Sequence, residues 1–210
     1  MLEHETAEFR SDPGSFMTQH LIRIICGRDN PGVYSFGLVE NTAIVATRTN
    51  RSGARIRYLE LQETPDGTLQ MWFLPYVADG VRQMTLPRSG ADLMTTSQMA
   101  GCSFGFSSAS SGSDIIVTHH NARSMNNDPR VIEHQRVDVG DGRLSYFHQS
   151  GYRKRSLFGR GFKSSCQATV VGKRDMAGRW IFYAQSKKDI NHDAAELSQF
   201  SLKGTKQINT

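Results

Sequence analysis

The stretch Met99-Ala100-Gly101-Cys102-Ser103-Phe104-Gly105-Phe106, then Ser107-Ser108-Ala109-Ser110-Ser111-Gly112-Ser113, then Asp114-Ile115-Ile116-Val117-Thr118-His119-His120, decides how this chain is read. Two apolar runs of strand length flank a Ser/Gly tip, which is the pattern of a hairpin. Pairing about the centre of the tip sets Phe106 against Ile115, Phe104 against Val117 and Cys102 against His119. In that register Phe104, Phe106, Ile115 and Val117 share one apolar face, whereas a slip of one residue pairs Phe104 with Thr118 and mixes the faces. Directly opposed side chains have Cβ atoms about 4.5–5.5 Å apart, so the hairpin is expected to bring a thiol and an imidazole within reach of one proton.

That pairing has a chemical use. A free thiol with a pKa near roughly 8.5 is mostly protonated at neutral pH, and a neighbouring imidazole both raises the thiolate fraction and returns the proton to a leaving group. Gly101 lets the chain turn sharply before the thiol and leaves room for backbone N–H groups at Cys102 and Ser103 to face an oxyanion. The competing reading is packing, since a cysteine on an apolar strand face fills core space and a histidine pair can close a strand end. Gly101-Cys102-Ser103-Phe104-Gly105 also fits the Gly-x-Ser-x-Gly elbow with Ser103 as nucleophile, but that elbow needs a helix directly after it and a second strand follows here. His119 and His120 point to opposite faces of a strand and cannot chelate one ion together, and no His-Glu-x-x-His or paired-cysteine motif is present, so no metal site is expected. Gly159-Arg160-Gly161-Phe162-Lys163-Ser164 has the wrong glycine spacing for a phosphate loop and reads as a basic loop.

Outward from the hairpin, period-2 runs at residues 21–26, 34–40, 42–49, 54–62, 68–76 and 81–86 read as strands, broken by turns such as Asp29-Asn30-Pro31-Gly32 and Pro65-Asp66-Gly67. Further strands are expected at 131–139, 143–149, 165–172 and 179–185, and a helix at 91–99, where Ser89-Gly90 can start it and Leu93, Met94 and Met99 recur at roughly helical spacing. The expected class is α+β: a single-domain sandwich of mixed and antiparallel sheets with a few flanking helices. Residues 1–16 read as an acidic tail or short helix, and residues 17–210 as the folded domain. Length and composition agree with one domain able to bury a core.

The net charge of +5, from 25 basic and 20 acidic residues, is too mild for a dedicated nucleic-acid binder. It is also unevenly spread. Arg48, Arg51, Arg55 and Arg57 fall in an acid-free stretch at 41–59, and Arg153, Lys154, Arg155, Arg160 and Lys163 in another at 151–163, the second interleaved with Phe158 and Phe162. Either these are solvated surfaces or they dock an acidic protein face or an RNA-bound partner. No run is apolar enough for a membrane span or a secretory signal, and three widely spaced cysteines argue for a reducing compartment.

Ala100-Gly101-Cys102-Ser103 followed by Val117-Thr118-His119 resembles the small-Gly-Cys and Val-x-His elements of the toxin glutamine deamidases, the cytotoxic necrotizing factor-like superfamily, and within it most of all the Burkholderia lethal factor type. The likeness runs in order through Trp72-Phe73-Leu74-Pro75-Tyr76, Thr85-Leu86-Pro87, Val139-Gly140, Tyr146-Phe147-His148, Cys166-Gln167-Ala168-Thr169-Val170-Val171-Gly172 and Tyr183-Ala184-Gln185, covering roughly residues 71–185. It implies a monomeric enzyme that converts a glutamine of a host protein to glutamate, with Cys102 as nucleophile, His119 as base and Thr96 supporting the pair, and with no cofactor and no direct need of nucleic acid or membrane. It implies a host translation-initiation helicase of the DEAD-box type as substrate ahead of a Rho-type GTPase, and action in host cytosol after residence in the bacterial cytoplasm. The longer Ser-rich hairpin loop and the extra His120 depart from the family pattern. Another Cys–His hydrolase or acyl transferase, a protease or transglutaminase-like enzyme, or a binding protein using its basic loop, are the alternatives.

Overall fold

Alternating apolar runs fold as strands, and the burial of both faces decides where that alternation disappears. The computed structural model describes residues 2–42, 45–46, 56–107, 114–125, 127–135, 137, 144–152, 166–189 and 199–208. Outside them lie Arg48, Arg51, Arg55, Arg153, Lys154, Arg155, Arg160 and Lys163, with Phe158, Phe162, the 159–164 loop and the 108–113 hairpin tip. The chain is mostly β, with two sheets and few helices. Nine strands form one sheet: β1 (His20–Ile25), β2 (Gly32–Glu40), β3 (Val45–Ala46), β4 (Arg57–Glu63), β5 (Leu69–Leu74), β7 (Leu93–Thr96), β11 (Cys166–Arg174), β12 (Trp180–Asp189) and β13 (Gln199–Ile208), in the order β1-β4-β2-β5-β7-β11-β12-β13-β3. The second sheet has the order β10-β8-β9-β6 and is built from β6 (Val81–Leu86), β8 (Ser103–Ser107), β9 (Ile115–His120) and β10 (Leu144–Phe147).

Two expected elements are corrected. The 91–99 segment is not a helix: β7 lies between β5, to which it is parallel, and β11, to which it is antiparallel. All four of its residues are buried, so the period-2 signal vanishes and only β-branched Thr95 and Thr96 mark it as strand. The 131–139 strand is replaced at its start by helix α3 (Pro129–His134), because Asp128 accepts from the Arg130 N–H as N-cap and Pro129 sits at the first helical position.

At the amino end, helices α1 (Glu3–Ser11) and α2 (Pro13–Gln19) place Phe9, Phe16 and Met17 against Phe36, Leu38, Leu61, Met71 and Phe73 of the large sheet. Arg57 of the basic 41–59 stretch is taken up by Glu5 and, at 2.7 Å, by Glu40. A separate apolar cluster joins the two sheets, drawing Met94, Val170 and Phe182 from one and Phe104, Phe106, Val117 and Phe147 from the other. The Phe182 ring stands 5.2 Å from both Phe104 and Phe106. The large sheet also curls on itself: the Ile22 N–H donates to Gln185 Oε1 (2.8 Å), and the Ile22 carbonyl accepts from Thr169 Oγ1 (2.7 Å) and Lys187 Nζ (3.0 Å). Burial there pushes the Lys187 ammonium down to about 7, with Arg23 adding to the effect and Glu60 opposing it. Among the described residues no helix is long and apolar enough to cross a membrane.

Candidate active site

The site forms where the ends of β7, β8 and β9 meet between the sheets. Strands β8 and β9 pair Ser103 with His120, Phe104 with His119, Gly105 with Thr118 and Phe106 with Val117. This register lies two residues from the expected one, so Cys102 is not opposite His119. A two-residue slip keeps every side chain on its own face, and the apolar-face argument is therefore blind to it. Phe104, Phe106, Val117 and His119 still share the inner face, and continuing the register past the strand ends sets Cys102 beside Asn121 with His119 as its diagonal neighbour.

His119 is fully buried, and the loss of water around it, helped by His120, holds its pKa down to about 3, so the ring is neutral near neutral pH. Its Nδ1 lies 2.5 Å from Thr96 Oγ1. The single hydroxyl proton of Thr96 goes to the Leu74 carbonyl at 2.7 Å, which accepts only, so Nδ1 must carry the ring proton and donate it to Thr96. Nε2 is then the bare lone pair, and it is buried without a hydrogen-bond partner among the described residues. Thr96 belongs to the large sheet and His119 to the small one, so this contact spans the two. Tyr76, more than half exposed, brings its ring to 6.2 Å from that of His119.

Cys102 is buried, and its Sγ accepts from Asn121 Nδ2 at 3.1 Å. The Asn121 amide cannot be turned round, because its Oδ1 accepts the backbone N–H groups of Asp79 and Arg123, each at 3.1 Å. No protein-family model matches the chain, and no curated protein matches it.

Gly101 has φ of 129°, a conformation that favours glycine, and its N–H donates to Tyr152 Oη at 2.8 Å. The Tyr152 hydroxyl in turn donates to the Cys102 carbonyl at 2.8 Å. The Gly101 amide is thus committed to Tyr152, and this clamp fixes the backbone on the amino side of the thiol. Ser103 faces the other way: it is buried on the outer face of β8, with Oγ 3.1 Å from His148 Nδ1. His120 is on that outer face too. Its Nδ1 lies 2.9 Å from Gln135 Oε1 and its Nε2 2.9 Å from Thr118 Oγ1, and burial, with His148 adding and Gln135 opposing, lowers its pKa to about 4. Among the described residues no group of three or more His, Cys, Asp or Glu side chains is placed to hold a metal.

Asn121 and Tyr152 went unread in the sequence. Asn121 had a signal, since two residues after His119 it falls on the same face of an extended chain; Tyr152, fifty residues from the thiol it steadies, had none.

Proposed function

We propose that the protein is a cysteine-dependent protein glutamine deamidase, a toxin- or effector-like amide hydrolase whose paired sheets form the single-domain sandwich implied by the family likeness. The observation that carries the reading is the state of His119: a neutral imidazole with Nδ1–H committed to Thr96 and its Nε2 lone pair open, on the face that bears Cys102. A base must be neutral to take a proton, and Nε2 carries the lone pair that would receive it.

In the proposed reaction Nε2 takes the Cys102 thiol proton and Sγ attacks the carboxamide carbon of a substrate glutamine. Collapse of the tetrahedral intermediate breaks the C–N bond as His119 delivers the proton to departing ammonia. Water then attacks the thioester, giving its proton to His119, and C–S cleavage returns the thiol and leaves glutamate. The likeness to the lethal factor type favours a DEAD-box translation-initiation helicase as host target over a Rho-type GTPase, reached in host cytosol by a monomeric enzyme. The basic 151–163 loop, with Arg153, Lys154, Arg155, Arg160 and Lys163, is the proposed docking element for an acidic face of that target.

The test compares wild-type and Cys102→Ala protein on eukaryotic extract by peptide mass spectrometry. A glutamine that becomes glutamate only with the wild type, with ammonia released and chain length intact, supports the reading. New termini would instead identify a protease, glutamine–lysine crosslinks a transglutaminase-like acyl transferase, and an unchanged proteome a binding protein.

A further inference from the structure

We propose that Asn121 is a positioning residue that stabilises the Cys102 thiolate through its side-chain N–H. This deepens the reading above and rests on Cys102 being the nucleophile, though not on the identity of its substrate. A thiolate formed in a buried site needs a compensating charge or a hydrogen-bond donor. The usual compensation, a standing imidazolium beside the sulfur in the resting site, is disfavoured here by the burial of His119 and by a second histidine next to it in the chain, so His119 would hold the proton only in passing during attack.

A neutral donor suits such a site, because it is present before the proton leaves and needs no protonation of its own. The Asn121 amide meets that need by construction. Its Oδ1 is held by two backbone N–H groups from different loops, Asp79 and Arg123, which point Nδ2 at Sγ. The backbone is held as firmly: the Asn121 N–H donates to the Gly80 carbonyl at 2.8 Å, and its own carbonyl accepts from Gln135 Nε2 at 3.0 Å. The next turn is locked by Asp79 Oδ1 accepting from the Ser124 N–H and by Asn127 Oδ1 accepting from the Ala122 N–H. Asp79 and Asn127 both have positive φ, 48° and 51°, a conformation that costs energy in these residues unless the surroundings hold it. A donor placed before the charge appears loses nothing to reorganisation when it does.

The experiment follows iodoacetamide alkylation of Cys102 against pH, with the adduct assigned by peptide mass spectrometry so that Cys26 and Cys166 do not contribute. Asn121→Asp keeps an oxygen for the Asp79 and Arg123 N–H groups but replaces the donor with a carboxylate. The expected result is a rise of about one pH unit or more in the alkylation midpoint, and alkylation at pH 7 slower by about tenfold. A folded Asn121→Asp protein with the wild-type profile would overturn the inference. Should that variant not fold, ¹⁵N NMR of the wild-type protein decides. The Asn121 side-chain amide should move with the Cys102 titration and stay still in Cys102→Ala; an amide that ignores the titration overturns the inference. Neither readout needs a substrate. A shifted profile in a protein that deamidates nothing would therefore refute the proposed function alone, and active deamidation with an unshifted profile would refute the Asn121 role alone.

Discussion

His119 and His120 are neighbours in the chain, lie on one strand and are both withdrawn from water, yet they face opposite sides of the small sheet and meet different surroundings. On the outer side Gln135 Nε2 is spent on the Asn121 carbonyl, so Gln135 Oε1 faces His120 Nδ1, which must donate, and Nε2 then accepts from Thr118. Every polar atom of His120 is satisfied. On the inner side Thr96 satisfies Nδ1 of His119 and nothing among the described residues meets Nε2. Burial is common to both rings, so it does not distinguish them; the unfinished hydrogen-bond set of His119 does, and it is the reason His119 rather than His120 is the proposed base.

Under the proposed function, the widest gap between the two faces should be in turnover. His119→Ala and Cys102→Ala are each expected to reduce glutamine deamidation by about a thousandfold or more while the fold persists. His120→Ala should leave turnover within a few-fold and cost about 1–3 kcal/mol of stability, since it orphans Gln135 and Thr118. Rates on a responsive substrate and urea unfolding of the three variants measure both effects, and the reverse ranking of the histidines would reverse the assignment of the base.

Acid should come next in size. Both folded pKa values lie below the ordinary 6.5, so in that window the unfolded chain binds protons that the fold refuses. The histidine contribution is fully present only above pH 6.5 and is expected to fall by about 1.4 kcal/mol per pH unit for each histidine as pH drops, both contributing down to about 4 and His119 alone down to about 3. Urea titrations from pH 7 to 4 should show a shallower slope in His120→Ala, and equal slopes would place the acid sensitivity elsewhere.

A smaller effect is expected at Gly105, where a Cβ would collide with Thr118 Oγ1 and crowd the Tyr146 ring. Gly105→Ala should destabilise by about 1–3 kcal/mol through the outer face. Its Cys102 alkylation profile should stay at wild type, which a combined melt and labelling experiment checks. The finest distinction is at Thr96. Thr96→Val removes the acceptor that fixes the His119 tautomer and should slow turnover by about tenfold, whereas Thr96→Ser should restore most of it; equal losses in the two would mean that packing, rather than the hydroxyl, matters there.

Much of this was legible because alternation reports one buried face. The strand at 81–86 is of that kind, whereas β8 and β9 are buried on both faces and were legible from Phe104, Phe106 and Val117 falling on one side of the pair. Register was legible only to within two residues, since parity is all that a hydrophobic face encodes. Strand β7 was misread because a strand buried on both sides loses its period, and α3 because apolar Val131 and Ile132 outweighed the stronger signal of Asp128-Pro129 just before them. Thr96 entered through family likeness alone, because its partner His119 is brought to it by sheet packing rather than by local chain geometry. Tyr152 was invisible for the same reason.

The Thr96–His119 bond joins one sheet to the other, and this has a kinetic consequence. The two sheets have separate ladders, but the contact that fixes the His119 tautomer forms only once the end of β7 rests against β9. In refolding, recovery of turnover should therefore lag the return of β-sheet circular dichroism and coincide with the closing of the interface around Phe104, Phe106 and Phe182. Under the proposed function, turnover then serves as a clock for the docking of one sheet on the other.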